Sequence, residues 1–264
     1  MGIGDMTLDD ASLTTLARRM LGDYDRAEPG TAFAEGLRLT PPEGWRVQAA
    51  VAALREARGE RVVGYKIGCI DLGNRQRMGL DHPACGRIWS SEFHETGALL
   101  PRAKYANPAM EAEFAITLAG DFPSDEAVKD AGISLIEAIY PVIEINNLVL
   151  HGDAPHGAQL LANNAINAGV VRGAAVAPPQ IGQPTDLKLI FDGETVDEWD
   201  GLRWPADMLQ GIDWLADQLA AQGLSLKQGD LILTGAFGPP LPIGPEGRVD
   251  VTSSAYGDVS ATFA

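Results

Sequence analysis

Two stretches of helical periodicity open the chain, and a two-residue alternation replaces them from residue 61 onward. Leu13, Leu16, Ala17, Met20 and Leu21 recur at helical spacing behind the capping candidates Asp9, Asp10 and Ser12. A second helix is announced by "TPPEGW", in which Thr40 and Glu43 are spaced as a capping box with Pro41 and Pro42 in the first turn. It continues through "RVQAAVAALREA" and ends near Gly59. Strands are then predicted at "RVVGYKIG", "EAEFAITL", "YPVIEIN", "AGVVRG" and "LKLIFDGETVDEW", the last folded into a hairpin at Asp192-Gly193. An amphipathic helix, "WPADMLQGIDWLADQLAAQG", closes at Gly223, and three short strands follow in "GDLILTG", "GRVDVTS" and "GDVSATF". No repeat, low-complexity tract or linker interrupts the pattern. The expectation is an α+β chain without steady βα alternation, residues 1–60 forming an N-terminal helical cap and residues 61–264 a catalytic domain, packed as one unit.

Composition narrows the partners. A formal net charge of −16 with scattered Lys and Arg argues against nucleic acid, which needs clustered cations, and against an anionic membrane surface. The N-terminal stretch has neither the basic nor the apolar region of a signal peptide, and no apolar run approaches the ~18–20 residues of a membrane span. Cys69 and Cys85 are too few and too far apart for a disulfide framework or a zinc knuckle, so reduced, buried thiols in a cytoplasmic protein are expected.

The candidate chemistry starts with "NPAMEAEFAITL". Extended, it points Glu111 and Glu113 to one side and Phe114, Ile116 and Leu118 to the other. A solvent-facing edge strand would explain the pair. Glu144, in "YPVIEINN", is a third carboxylate inside an apolar strand pattern, with Ile143 and Ile145 on the opposite face. Bringing three carboxylates together without basic neighbours is costly unless a hard divalent cation offsets it, and all-oxygen ligation suits Mg²⁺, Mn²⁺ or Ca²⁺ better than zinc. Such a site would leave positions open for a chelating substrate and water.

In "GYKIG", Gly64, Lys66 and Gly68 share a strand face, so Lys66 either has room for a ligand or is an ordinary surface lysine. His151 and His156, with Asp153 between them, form a candidate ligand loop that a polar turn explains as well. His94 is a candidate base on a loop. The glycines of "TGAFGPPLPIG" lack the following helix of a nucleotide cradle, and no G-x-S-x-G is present to anchor Ser-His-Asp chemistry.

Taken together, "VVGYKIG", "MGLDHPACGRIW", "EAEFAITL", "YPVIEINN", "LANNAINAGVVRG" and "LKQGDLILTGAFGPPLPI" resemble, in this order, the 2-oxopent-4-enoate hydratase and 4-oxalocrotonate decarboxylase family of the fumarylacetoacetate hydrolase superfamily. The resemblance covers roughly residues 45 to 263. It implies a mixed β-roll flanked by helices and a homo-oligomer, associating in some members with a related enzyme. It places Glu111, Glu113 and Glu144 on the metal-ligand positions for Mg²⁺ or Mn²⁺, and Lys66 on the active-site lysine. Gly68, Asn164 and Thr234, in the same motifs, are the expected substrate contacts. The implied reaction is hydration of a 2-hydroxy-2,4-dienoate or 2-oxo-4-enoate, derived from aromatic ring cleavage, to a 4-hydroxy-2-oxo acid. The 2-oxo acid would chelate a Lewis-acidic metal that stabilises an enolate.

Three departures stand out. Where many relatives carry acids, this chain has Ala84, Asn147 and Asn163, and Ile166 replaces a serine of the same motif. If those acids move protons, ordinary hydratase chemistry is in question. The alternatives are a decarboxylase, a C–C hydrolase with a base such as His94, a non-catalytic partner subunit, or an unrelated enzyme whose glutamates face solvent.

Overall fold

The alternation over Pro108–Leu118 folds as an 11-residue strand with a neighbour on each edge, and the two faces of that strand organise the molecule. The computed structural model describes residues 8–122, 132–178, 184–202 and 209–264. In chain order the helices are α1 (Asp10–Asp25), α2 (Thr31–Ala34), α3 (Pro41–Ala57), α4 (Leu72–Met78), α5 (Gly157–Ala162) and α6 (Leu209–Ala220). The strands of the first sheet are β1 (Val62–Gly68), β2 (Ala84–Trp89), β3 (Phe93–Glu95), β5 (Pro108–Leu118), β6 (Ile136–Asn147), β7 (Asn167–Arg172), β10 (Leu231–Leu233) and β11 (Leu241–Pro242). They run in the order β2-β1-β10-β5-β6-β7-β3, with β11 added to β5. β1 pairs parallel to β10 and β3 to β7, while the other pairs are antiparallel. A second sheet is ordered β4-β13-β12-β8-β9, from β4 (Ala98–Leu100), β8 (Thr185–Phe191), β9 (Glu194–Leu202), β12 (Gly247–Ser253) and β13 (Gly257–Phe263). This is the α+β, mixed-sheet architecture expected from the alternating pattern.

The core lies between the two sheets. Phe114, Ile116 and Leu118 of β5 and Ile143 and Ile145 of β6 meet Leu189, Val249, Val251 and Phe263 from the second sheet. Each such side chain contributes ~1.5–3 kcal/mol of burial. Because alternate residues face opposite ways, that buried face commits Glu111, Glu113 and Glu144 to the other one. The solvent-facing edge strand weighed above is therefore replaced by a central strand.

Local signals set the helix ends. Asp9 caps α1 by accepting from Ser12 N at 2.7 Å, and the Thr40 N–H and hydroxyl both donate to Glu43 at 2.8 Å at the start of α3. Gln48 of α3 donates to the carbonyls of Cys85 and Leu161 and accepts from Arg87, tying the helix to β2 and α5. Arg55 of α3 pairs with Glu60 and Glu92, and stacks over the rings of Tyr24 and Trp89. The Asp192-Gly193 hairpin forms as expected, both residues having positive φ (49° and 85°). The first residues of the amphipathic helix, 204–208, lie outside the described residues; its body is α6.

Gly64 has a different reason from the one its spacing suggests. A Cβ built there would lie 2.0 Å from the carbonyl oxygen of Leu231 on β10, so Gly64 lets two strands approach and does not clear space for a ligand. Gly64→Ala is expected to cost ~2–3 kcal/mol by overpacking, read as a lower urea midpoint with an unchanged m-value.

Candidate functional site

The register of β5 against β6 sets Glu111 directly opposite Glu144. Glu113, two residues along β5, shares their face. Ligand oxygens of the three carboxylates lie within 4.8 Å of one another. Glu113 and Glu144 are 1% and 0% exposed, while Glu111 is half-buried. Glu111, Glu113 and Lys66 border a cleft of about 750 Å³ whose walls include Ile70, Leu160 and Phe237.

Like charges directly opposite on a sheet destabilise it, so the supporting contacts matter. Asn146 Nδ2 donates to Glu111 Oε2 at 2.7 Å, Gly235 N to Glu113 Oε2 at 3.0 Å, and Asn167 Nδ2 to Glu144 Oε1 at 2.7 Å. Each carboxylate thus has one oxygen oriented by a neutral donor. Lys66, brought alongside by β1, places Nζ 3.0 Å from Glu144 Oε1 and 3.1 Å from Oε2. The glutamates are therefore not without a basic neighbour, as the sequence pattern had suggested.

One ammonium does not balance three carboxylates. Desolvation, only partly offset by Lys66 and reinforced by repulsion from Glu144, pushes Glu111 up to about 8. Desolvation, then repulsion from Glu144 and Glu111, holds Glu113 well above the usual carboxylate range. Burial works against the charge on Lys66, but Glu144, Glu111 and Glu113 outweigh it and raise its pKa above the ordinary lysine value. Fully ionised, the group carries two uncompensated negative charges, the charge a divalent cation supplies. The donor set, carboxylate oxygens alone, fits Mg²⁺ or Mn²⁺. Among the described residues these three glutamates are the one set of His, Cys, Asp or Glu close enough to hold a metal, and the His151–His156 loop contributes none.

The remaining expected residues are divided. Gly68 borders the cleft beside Lys66. Thr234 does not: it is buried, and its hydroxyl donates to the Phe114 carbonyl at 2.9 Å, which carries the adjacent Gly235 to Glu113. Asn164 also faces elsewhere, its amide accepting from Arg87 N at 2.7 Å and donating to Arg87 O at 2.8 Å. Of the positions where acids had been expected, Ala84 borders the cleft. Asn147 and Asn163 instead border a second cavity of about 60 Å³, toward α1 and α3. His94 lies on β3, half-buried and paired opposite Val171, where burial lowers its pKa; it does not border the cleft.

Asn146, Asn167 and Gly235 are the site residues that sequence reasoning missed. Asn146 could have been found, since it shares the strand face of Glu144. Asn167 and Gly235 reach the site through strand register and a loop, and no local pattern marks them. Asn167 is delivered by a turn in which Asn164, Ala165 and Ile166 all have positive φ (57°, 50° and 57°). Non-glycine residues in this region cost ~1–3 kcal/mol each. The Asn164–Arg87 bonds hold the turn, and Gly86 admits it, because a Cβ there would lie 2.2 Å from Asn164 O.

No protein-family model matches the sequence. The chain is 29% identical over 265 residues to the 2-keto-4-pentenoate hydratase of Burkholderia vietnamiensis, covering 97% of this chain and 98% of that one. Its fold is that of the 4-oxalocrotonate decarboxylase of Pseudomonas putida G7, solved with magnesium and adipate, at a TM-score of 0.87 and 22% identity over 98% of this chain and 99% of that one. More distantly it is similar to a fumarylpyruvate hydrolase of Pseudomonas aeruginosa solved with Mn²⁺ and pyruvate, at a TM-score of 0.55 and 16% identity over 76% of this chain and 88% of that one.

Proposed function

We propose that the chain is a member of the 2-oxopent-4-enoate hydratase and 4-oxalocrotonate decarboxylase family of the fumarylacetoacetate hydrolase superfamily, a metal-dependent lyase adding water to a 2-hydroxy-2,4-dienoate or its 2-oxo-4-enoate tautomer. The product is a 4-hydroxy-2-oxo acid, and the setting is catabolism of aromatic ring-cleavage products. The observation that carries this reading is the convergence of Glu111, Glu113 and Glu144 beside Lys66, with Glu111, Glu113 and Lys66 bordering one cleft.

Glu111, Glu113 and Glu144 would hold Mg²⁺ or Mn²⁺. When bound, the cation supplies Lewis-acid polarisation of a chelated 2-oxo acid. The chain's own groups do the rest. Without the cation the three glutamates favour the ammonium form of Lys66, which suits it to binding the substrate carboxylate or giving a proton at carbon. Asn146, Asn167 and the Gly235 N–H fix the carboxylates' orientation. Gly68 leaves space at the lysine, since a Cβ there would sit at ordinary contact distance, 3.7 Å, from Nζ. Ile70, Leu160 and Phe237 present the diene with an apolar wall. Substrate contact by Asn164 or Thr234 is not part of this reading, because their side chains are committed elsewhere.

Decarboxylation of an oxalocrotonate-type acid is the second reading. Ala84 favours it, because the cleft lacks an acid there to manage an attacking water. With Mg²⁺, the absorbance of 2-hydroxypenta-2,4-dienoate should decay at a rate proportional to enzyme, and it should persist in EDTA. Release of CO₂ from an oxalocrotonate, with the dienoate untouched, would replace hydration by decarboxylation.

In the same reading residues 1–60 are a helical cap, supported by the packing of α3 on α1 and α5. The protein would assemble as a homo-oligomer, with association to a related enzyme of the same pathway. A cytoplasmic place is supported by two free cysteines. Among the described residues no helix is long and apolar enough to cross a membrane.

A further inference from the structure

Among the described residues, Ile166 alone borders both the carboxylate cleft and the second cavity toward α1 and α3. It is buried, at 8% exposure. It is also held in place, as the last of three consecutive residues at positive φ, in a turn clamped through Asn164 to the backbone of Arg87. The partition is thus part of the sheet framework.

The cavity behind it has a definite chemical character. Asn147 and Asn167 border it, both more than nine-tenths buried, and the Oδ1 atom of each lacks a hydrogen-bond partner. For Asn167 the amide orientation is fixed: Nδ2 faces the carboxylate of Glu144, which only accepts, so Oδ1 is the free atom. Two unpartnered, buried acceptors on residues that border a partly apolar pocket match a ligand that donates hydrogen bonds, once the space is opened to them. Met20, Val51 and Trp89 supply the apolar part of the lining.

We propose that Ile166 is a specificity-determining residue, a fixed wall that ends the substrate cleft on the side of the N-terminal helices. The cavity behind it is a latent subsite for a chain ending in a hydrogen-bond donor such as a hydroxyl. The wild-type protein therefore selects 2-oxo acids whose chain stops short of this wall. Removing the Ile166 side chain joins the two spaces and exposes the oxygens of Asn147 and Asn167 to the longer chain. This inference rests on the reading of the carboxylate cleft as a 2-oxo acid site.

The test is calorimetric binding to the Mn²⁺-loaded protein of oxalate, 2-oxopentanoate and 5-hydroxy-2-oxopentanoate. Oxalate reports the carboxylate site alone and is expected to bind wild type, Ile166→Val and Ile166→Ala within about twofold of one another. The hydroxylated acid is expected to bind Ile166→Ala at least tenfold more tightly than wild type, and to gain more than 2-oxopentanoate does, with Ile166→Val between. Adding Asn147→Leu to Ile166→Ala should erase the hydroxyl preference. Ile166→Gly, which tolerates the positive φ, provides the same comparison should Ile166→Ala fold poorly. Equal gains for the two five-carbon acids, or no gain for either while oxalate binds, would overturn the Ile166 proposal alone. Failure of all three acids to bind wild type would overturn the carboxylate-site reading and this inference with it.

Discussion

Glu113→Gln should remove divalent-metal binding and, at the same time, make the metal-free protein more stable. Glutamine is nearly isosteric and keeps an acceptor oxygen for the Gly235 N–H, which donates to Glu113 at 3.0 Å, so the local backbone has no cause to move. What is lost is one of three carboxylates. A hard cation held by oxygen ligands draws its affinity from that charge, and the Kd for Mn²⁺ is expected to rise by at least about 100-fold, roughly 2.8 kcal/mol at 1.4 kcal/mol per tenfold. What is gained is relief from desolvation and repulsion, the causes that hold Glu113 far above its ordinary pKa. A titration of Mn²⁺ by calorimetry and a melting curve in EDTA read the two effects separately. Retained Mn²⁺ affinity would sink the metal-cage assignment. Glu95→Gln is the control: Glu95 lies outside the cleft, paired with Arg172, and its removal should change neither measurement.

The same physics gives the metal-free wild type a pH dependence. A carboxylate whose folded pKa is raised favours the folded state while protonated, and that advantage is lost as pH rises through the folded value. With Glu111 pushed up to about 8, the melting temperature in EDTA should fall between about pH 5 and 8. Saturating Mn²⁺ should flatten the curve, because the cation supplies the compensation that protons otherwise provide.

How much of this could be read from the chain depends on the range over which each feature is encoded. The α1 and α3 caps, the Asp192-Gly193 hairpin and the two-faced β5 follow from residues within a few positions of one another, and all were legible. The helix α4 was also locally encoded, by Asp71 at its start and left-handed Gly79 at its end, but its seven residues bury none of their side chains and show no apolar stripe. β2 was hidden for the opposite reason: all six of its residues are buried, so it has no alternation to detect. The three glutamates were found because strand parity separates them from Phe114 and Ile143. Their common destination is a matter of register, since the Glu111↔Glu144 pairing joins residues 33 positions apart. Asn164 and Thr234, expected as substrate contacts, are hydrogen-bonded away from the cleft, because motif position fixes where a backbone runs and leaves open what a side chain is used for. The left-handed turn at 164–166 illustrates this: no local rule predicts an isoleucine at φ 57°, and only Gly86 and the backbone of Arg87 make it tenable.

Lys66→Met should have the second large effect, on turnover and on the metal-free fold together. Among the described residues, Lys66 is the one basic side chain paired with the three carboxylates, and it sits 5% exposed with both oxygens of Glu144 within 3.1 Å. Breaking a buried pair by deleting one partner strands the other, at a cost of about 3 kcal/mol or more, so the melting temperature in EDTA should drop well below that of wild type. Saturating Mn²⁺ should recover most of the difference, since a divalent cation offsets the same carboxylates. Turnover should not recover. A positioned proton donor or substrate-carboxylate anchor is worth ~10²–10⁴-fold, and the loss should appear in kcat, or in kcat/KM with metal affinity unchanged or tighter. Lys66→Arg keeps the charge but should rescue stability more than rate, because the planar guanidinium cannot place a single compact charge at Nζ. The double variant Lys66→Met/Glu113→Gln separates the roles: removing a charge of each sign should restore metal-free stability toward wild type, a coupling that distant sites would lack. A Lys66→Met protein that is metal-loaded, folded and still within threefold of wild-type kcat would confine Lys66 to neutralising charge, and the proton would have to come from elsewhere in the cleft.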